Sequence, residues 1–142
     1  MIKINVIKIQ TEIIKTLINN GRFAYCEHND GMWVTTDGFC AYNIPKSQFF
    51  IDVSKREPWK GFSEVLSQFN HSNEVRATGE MKMLNRFNVV KFVTADGEEH
   101  WLQEKYAKLC DSWSVYKSTF YGCNGGIPVV IAIEVNINHV KD

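Results

Sequence analysis

Two cysteines and a histidine near the start of the chain are of the types that bind a metal ion. Cys26, His28 and Cys40 could offer zinc its usual sulfur and nitrogen ligands, at about 2.3 Å for sulfur. Two Asp-Gly dipeptides between them, Asp30-Gly31 and Asp37-Gly38, predict tight hairpin turns. If both are two-residue turns, the sulfurs belong to non-adjacent strands roughly 10 Å apart. A shift of the first turn by one residue puts the cysteines on opposite sheet faces. Neither register builds a tetrahedral site, so we predict no metal and no cofactor.

Nucleophilic catalysis by a cysteine would need a thiol, a histidine and an orienting acid brought together. The chain has four cysteines and four histidines, and Cys110 is followed by Asp111. No local signature of a cysteine hydrolase selects one of the histidines as its base. Adjacent Glu98 and Glu99 would point to opposite faces of a strand and would not share a proton. We predict that the protein is not an enzyme and has no catalytic residue.

A more suggestive pattern lies in residues 54–62, where three cations surround a tryptophan. Lys55, Arg56 and Lys60 flank Trp59 near the predicted start of a helix. Cations and free amides at such a place can bind phosphate or an acidic partner, and an aromatic ring among cations also suits stacking on single-stranded bases. The other interpretation is a solvated loop with Trp59 folded onto the core. Because loops on rigid scaffolds often carry function, we predict Lys55, Arg56, Trp59 and Lys60 as partner-binding residues.

A second candidate surface is an aromatic row on the predicted sheet. In the two-residue register, His28, Trp33 and Tyr42 lie on one face, where they could stack a base. The same residues would form core if the first helix covers that face. A nucleotide- or nucleic-acid-binding module, based on this row and on residues 54–62, is the alternative to a protein-binding function.

The elements that must position these residues follow from turn signals and from hydrophobic periodicity. We predict strands over residues 2–9, 22–28, 32–36, 39–44, 48–53 (a short strand or extended edge), 74–84, 87–94, 98–101, 113–121 and 127–135. A first helix follows Thr11 as its N-cap, with an apolar stripe of Ile13, Ile14, Leu17 and Ile18, and ends at residues 19–21. Further helices are predicted over residues 59–69 and 102–110. The predicted fold class is α+β, a single antiparallel sheet-dominated domain over residues 1–142 with about three helices.

The composition argues against partners that bind through a large positive charge. The 142 residues include 16 basic and 16 acidic side chains and 13% aromatic residues. A balanced charge gives no bulk positive field for nucleic acid or for an anionic membrane. The N-terminal residues alternate charged and aliphatic types, and no apolar run approaches the length of a membrane span. We therefore predict a cytoplasmic protein that does not contact the membrane.

Residues 1–18, a predicted strand leading into an amphipathic helix, precede a meander that ends in TTDGFCAYNIP (residues 35–45). This arrangement resembles the opening of a sliding-clamp domain. Clamp domains are built from two strand–helix–three-strand units, and residues 2–44 and 98–135 of this chain echo such a pair. More closely, the chain is similar to small phage and prophage proteins that look clamp-like and carry a comparable DGF-x-AY-x-IP stretch, here residues 37–45. The resemblance implies a clamp-like fold.

The same resemblance implies a non-enzymatic phage-type accessory protein that binds a host or phage macromolecule and thereby inhibits or modulates host defence or replication. Its location would be the host-cell cytoplasm if it is phage-encoded. A protein is the predicted partner, and a homodimer is also predicted, because open sheet edges need covering or pairing. We expect the aliphatic final strand, residues 127–135, to form that homodimer interface.

Overall fold

A nine-stranded antiparallel sheet dominates the computed structural model, which describes residues 4–137. The strands are β1 Ala24–His28, β2 Gly31–Thr35, β3 Cys40–Pro45, β4 Asn73–Met83, β5 Asn88–Thr94, β6 Glu99–Gln103, β7 Ser112–Tyr116, β8 Thr119–Asn124 and β9 Ile127–Ile133. The helices are α1 Val6–Ile18, α2 Phe62–Ser67 and α3 Glu104–Ala107, with 3₁₀ turns at Lys46–Gln48 and Gln68–His71. The predicted fold class, an α+β sheet-dominated domain with three helices, is confirmed.

The strand order is β1-β2-β3-β9-β8-β7-β4-β5-β6. Two three-stranded meanders, β1–β3 and β7–β9, therefore lie side by side and are joined through their last strands. A helix precedes each meander in the chain, α1 before β1 and α3 before β7. The hairpin strands β4, β5 and β6 extend the sheet beyond β7.

The helices cover both faces of the sheet. Residues alternate between faces along a strand, and Cys40 and Tyr42 of β3 face the side on which α1 and α3 pack. Ala41, between them, faces the other side and packs in a cluster with Phe62 and Leu66 of α2. The sheet is thus buried on both faces near β3 and β9, which explains why all residues of β9 are apolar.

Helix α1 begins earlier than its sequence pattern suggested. Asn5, not Thr11, is the N-cap, and its side chain accepts hydrogen bonds from the amides of Ile7 and Lys8. The predicted strand over residues 2–9 is therefore wrong from Val6 onward, while residues 2 and 3 lie outside the described residues. Ile18, assigned to the apolar stripe, is 76% exposed.

A buried glutamine ties α1 to the segment after β3. Gln10 is 0% exposed. Its side-chain amide donates to the carbonyls of Val6 and Gln48, each at 3.0 Å, and its Oε1 accepts from the amide of Phe50 at 2.7 Å. Both polar atoms of the Gln10 side chain thus have backbone hydrogen-bond partners, as burial requires. Contrary to the prediction, residues 48–53 form no strand: Gln48 ends a 3₁₀ turn, and residues 49–53 have no regular secondary structure.

The first hairpin turn is shifted by one residue from its predicted place. Its two central residues are Asn29 and Asp30, both with positive φ (49° and 63°), and Gly31 begins β2 opposite His28. An added Cβ on Gly31 would stand 2.0 Å from Oδ1 of Asn43, so a larger residue at this position requires the Asn43 side chain to move.

The C-terminal half also departs from prediction at its turns. The predicted strand over residues 113–121 is two strands, β7 and β8, which pair with each other. The tight connection between them contains Lys117 at φ 55° and lacks the Gly and Asn residues on which turn predictions depend. Helix α3 is shorter than the predicted residues 102–110, because Leu102 pairs with Val90 in the sheet.

The predicted role of the final strand as an exposed dimer edge is wrong, whereas the predicted strand over residues 74–84 is present. β9 lies between β3 and β8, so it cannot be the exposed edge that would form a homodimer interface. The alternating segment at residues 74–84 is β4, but it pairs with β7 only through residues 73–75 and bulges around Gly79. Beyond the bulge, Met81 and Met83 are exposed rather than packed on a core.

We predict that Gln10→Ala lowers the free energy of unfolding by about 2–4 kcal/mol, because it leaves the carbonyl of Gln48 and the amide of Phe50 without their partner and opens a cavity. Urea denaturation measures the change. Thr11→Ala on the exposed side of the same helix is the control and should cost no more than about 0.5 kcal/mol. Equal losses for the two variants would contradict the role of Gln10.

Candidate functional site

The four predicted partner-binding residues lie in a segment that runs along the outer edge of β1. The amide of Trp59 donates to the carbonyl of Tyr25 at 2.8 Å, and the Tyr25 hydroxyl donates to the carbonyl of Arg56 at 3.0 Å. The Arg56 guanidinium lies 5.5 Å from the centre of the Phe23 ring, within cation–π range. These contacts fix the segment on the sheet and explain why α2 begins at Phe62 and not at residue 59.

Trp59 is held by an aromatic stack that starts in the core. Its ring lies parallel to that of Phe62, with centroids 4.7 Å apart and planes 9° apart. Phe62 in turn meets Trp33 edge-on at 6.2 Å. Phe62 and Trp33 are buried, whereas Trp59 is 41% exposed. The indole is therefore neither folded into the core nor free in solvent, and its orientation is set by buried rings.

An apolar cavity opens beside Trp59. It has a volume of about 240 Å³, and its walls are formed by Trp59, Phe62, Val65, Ile131 and neighbouring backbone. Two further apolar side chains border it at the surface, Phe39 at 59% and Ile133 at 44% exposure. The volume lies below the range of drug-sized ligand pockets and suits a protruding side chain. We call Trp59, Phe39, Ile133 and this cavity the Trp59 surface.

Positive charge borders the Trp59 surface. Lys55, Arg56 and Lys60 are exposed, and no ion pair between described residues involves any of them. Glu57 is the one acidic residue in the segment, so residues 54–62 carry three positive charges and one negative charge. The structure thus brings all four predicted residues into one segment. It adds Phe39, just before β3, and Ile133, the last residue of β9, which sequence reasoning missed because both are far from residues 54–62 in the chain.

The aromatic row of the alternative function does not form. Trp33 pairs with Cys26 and Asn43, whereas Tyr42 pairs with Val34. Trp33 and Tyr42 therefore face opposite sides of the sheet, and Trp33 is 3% exposed. The shift of the first turn leaves His28 and Trp33 on one face. The pairing of β2 with β3 differs by one residue from the predicted register, with Val34 and not Trp33 opposite Tyr42, so the predicted row is wrong.

The same offset between β2 and β3 separates the two cysteines considered as zinc ligands. Cys26 packs with α2 on one face, and Cys40 packs with Val130 and Ala132 on the other. Among residues 4–137, no group of three His, Cys, Asp or Glu side chains is placed to hold a metal ion. Burial raises the pKa of Cys40 and of Cys110 to about 12, so these thiols stay protonated near neutral pH and are poor nucleophiles.

One histidine has carboxylates on both ring nitrogens. His100 Nδ1 lies 2.8 Å from Glu134, and Nε2 lies 2.8 Å from Glu98. The ring is buried and meets Phe120 edge-on. Since both nitrogens are engaged, neither is available as a general base. We interpret this cluster as a link between β6 and the residues after β9. A backbone hydrogen bond strengthens that link, since the amide of Val135 donates to the carbonyl of Trp101 at 2.9 Å.

A cleft of about 380 Å³ separates α1 from α3. Lys8 and Lys105 border it, but so do Glu12 and Asp37, and these charges balance. Burial raises the pKa of Tyr106, whose hydroxyl lies near Asp37, so this tyrosine remains a neutral hydrogen-bond donor. The cleft offers no dominant charge and no nucleophile with a lowered pKa.

No protein-family model matches the chain, and neither a curated protein nor a solved structure is significantly similar to it. Within residues 4–137, no helix has the length and apolar character needed to cross a membrane.

We predict that the thiols react slowly in the folded protein. At about pH 8 a thiol with pKa near 12 has on the order of 10³-fold less thiolate than an unfolded cysteine, and burial of Cys26, Cys40, Cys110 and Cys123 restricts access further. Ellman's reagent should label the native protein slowly and all four thiols promptly in denaturant. Prompt labelling of the native protein, or unfolding on addition of EDTA, would contradict this assignment.

We predict that the Trp59 surface contributes little to stability. Lys55, Arg56 and Lys60 replaced together by alanine should change the free energy of unfolding by no more than about 1 kcal/mol, since exposed charges contribute little. Trp59→Ala should cost about 1–2 kcal/mol through loss of its stack on Phe62. Trp33→Ala is the matched core control and should cost roughly 3–5 kcal/mol. Similar losses for the two tryptophans in thermal denaturation would assign Trp59 to the core.

Proposed function

We propose that this chain is a non-enzymatic binding protein and that the Trp59 surface holds a segment of a protein partner. The observation that carries the proposal is Trp59 itself, a half-exposed indole fixed by buried rings at the entrance of an apolar cavity. Rigid aromatic anchors beside desolvated pockets are the residues that dominate binding energy at protein interfaces. Exposed Phe39 and Ile133 extend the apolar area, and such areas mark interaction sites.

The charges indicate the chemistry of that partner. An apolar side chain fills the cavity, and acidic residues beside it meet Lys55, Arg56 and Lys60, whose charges are not paired with described residues. Opposite charges at the rim of an interface raise the association rate and select the partner more than they raise affinity. The partner segment is thus apolar at its centre and acidic at its flanks.

The biological setting of this binding comes from the sequence resemblance alone. We propose a phage-type accessory role, in which the partner is a host or phage protein of defence or replication and the complex forms in the host cytoplasm. The clamp-like relation is supported by the two helix-and-meander units that meet at β3 and β9. A homodimer stays a prediction, and its interface is to be sought away from β9.

Nucleic-acid binding stays the alternative function, supported by the cations around Trp59 but no longer by an aromatic row. A fluorescein-labelled single-stranded oligonucleotide distinguishes the two. If anisotropy shows binding that Trp59→Ala weakens, the surface stacks bases and the protein-binding proposal is wrong.

We predict that selection of random linear peptides displayed on phage enriches sequences with an apolar residue flanked by Asp or Glu. Synthetic peptides of that type should bind the wild-type protein, and Trp59→Ala should weaken binding by more than about 1 kcal/mol. Alanine at Lys55, Arg56 and Lys60 should weaken it less, and high salt should reduce that second loss because the charges are then screened. Fluorescence polarisation measures each affinity.

Met83→Ala, which removes an exposed apolar side chain of β4 away from the Trp59 surface (76% exposed, against 41% for Trp59), is the control and should bind like wild type. The proposal fails if no acidic-apolar peptide is enriched, or if Trp59→Ala binds the selected peptides as tightly as wild type does.

A further inference from the structure

The cleft between α1 and α3 lies where the two helix-and-meander units meet. Its volume of about 380 Å³ is within the range of small-molecule sites. The first unit contributes α1, the hairpin between β2 and β3, and Tyr42 of β3, whereas the second contributes α3 and Leu109 just after it. Half-buried Ile9, Tyr42 and Leu109 give the cleft accessible and largely apolar walls. A ligand held here would contact both units.

Two opposite charges in this cleft are separated by one aromatic ring. Lys105 Nζ lies 4.9 Å from the centre of the Tyr106 ring, whereas the Tyr106 hydroxyl, at the rim of that ring, lies near Asp37. Tyr106 is buried, but Lys105 and Asp37 are exposed, so a molecule in the cleft can reach both charged groups. No ion pair between described residues involves either of them. The cleft thus presents an ammonium and a carboxylate that do not neutralise each other by contact.

The Asp37 carboxylate is held in place by the backbone of its own turn. Its Oδ1 accepts hydrogen bonds from the amides of Phe39 and Cys40, at 2.8 and 3.1 Å, as aspartates in turns commonly do. Burial raises the pKa of Cys40 to about 12, and the charges of Asp37 and Lys105 change that pKa in opposite directions. Both charges therefore act at the floor of the cleft as well as at its rim.

The remaining charged residues of the cleft are Lys8 and Glu12 of α1. Glu12 lies 3.8 Å from Lys15, which does not line the cleft. Lys8 is exposed, and no ion pair between described residues involves it. A compound with a single charge would displace water from Asp37 or Lys105 without supplying the counter-ion. A zwitterion supplies a counter-ion to both, and Lys8 is a second cation for its carboxylate.

We propose that the cleft between α1 and α3 binds a free α-amino acid with an apolar side chain. The ammonium of the ligand donates to Asp37, its carboxylate accepts from Lys105, and its side chain packs on Ile9 and Leu109. An α-amino acid carries both charged groups on one carbon atom, so with a hydrogen bond on each side it spans about the width of an aromatic ring. This binding goes beyond the proposed protein-binding function and does not depend on it.

Isothermal titration calorimetry with matched compounds tests the proposal. Hydrocinnamate is L-phenylalanine without the ammonium, and phenethylamine is L-phenylalanine without the carboxylate. Isocaproate and isoamylamine are the corresponding analogues of L-leucine. We expect at least one of the two amino acids to bind, and both of its analogues to bind at least tenfold more weakly, because each leaves one charge of the cleft unmatched. The amino acid that binds more tightly gives the preferred size of the side chain.

Two variants that each remove one charge identify the contacts. Asp37→Asn keeps the Oδ1 that the amides of Phe39 and Cys40 need. It should weaken binding of the amino acid at least tenfold and leave binding of the carboxylate analogue unchanged. Lys105→Gln, at an exposed position that tests the site even if Asp37→Asn does not fold, should weaken the amino acid similarly and leave the amine analogue unchanged. Lys108→Gln, outside the cleft on the same segment, is the matched control and should bind like wild type.

The proposal is overturned if neither amino acid binds at millimolar concentration, or if an analogue with one charge binds as tightly as its amino acid. It is also overturned if Lys105→Gln binds the amino acid like wild type, or if the amide shift changes that the amino acid causes in NMR lie outside the cleft. Trp59→Ala should bind the amino acid like wild type. Because the acidic peptides are measured separately, a failure here leaves the Trp59 surface untouched, and the reverse also holds.

Discussion

The pairing of β3 with β9 is the constraint on which the rest of the structure depends. Only three residue pairs form it, Cys40 with Ala132, Ala41 with Ile131 and Tyr42 with Val130, yet they join two meanders that are otherwise separate. Neighbouring residues of these strands contribute to all three hydrophobic clusters, two on one face of the sheet and one on the other. The cavity beside Trp59 is also completed here, since Ile131 and Phe39 come from the two sides of the joint.

Much of the fold is readable from local patterns, because hairpin turns and alternation are local. The strands of the first meander, the hairpin of β5 and β6 and the presence of a helix within residues 59–69 were predicted close to their observed places. The failures have physical causes. Asn5 caps α1 through its side chain, which makes an apparently alternating segment helical. The connection at Lys117 turns without glycine. The position of β9 in the middle of the sheet is set by long-range pairing, which composition does not reveal.

The candidate site also has one part that the sequence predicted and another part that it could not predict. The cations around Trp59 form a contiguous pattern, so sequence alone located them, and the structure places them together on the edge of β1. The cavity beside them needs Phe39 and Ile133, which are about twenty and about seventy positions away in the chain. Which residues share a face with them depends on strand register, where an error of one residue exchanges the two faces.

The joint between β3 and β9 also has a consequence for synthesis on the ribosome. Roughly 90 residues separate the paired strands, so at the usual rate of about 5–20 residues per second the first meander waits some 5–18 seconds for its neighbour. During that interval the backbone edge of β3 has no partner strand. A nascent chain in this state presents the kind of open edge that chaperones shield, and slower translation through residues 46–126 would lengthen its exposure. The yield of folded protein in the cell should therefore depend on expression rate and chaperone supply, and not only on the free energy of unfolding of the finished protein.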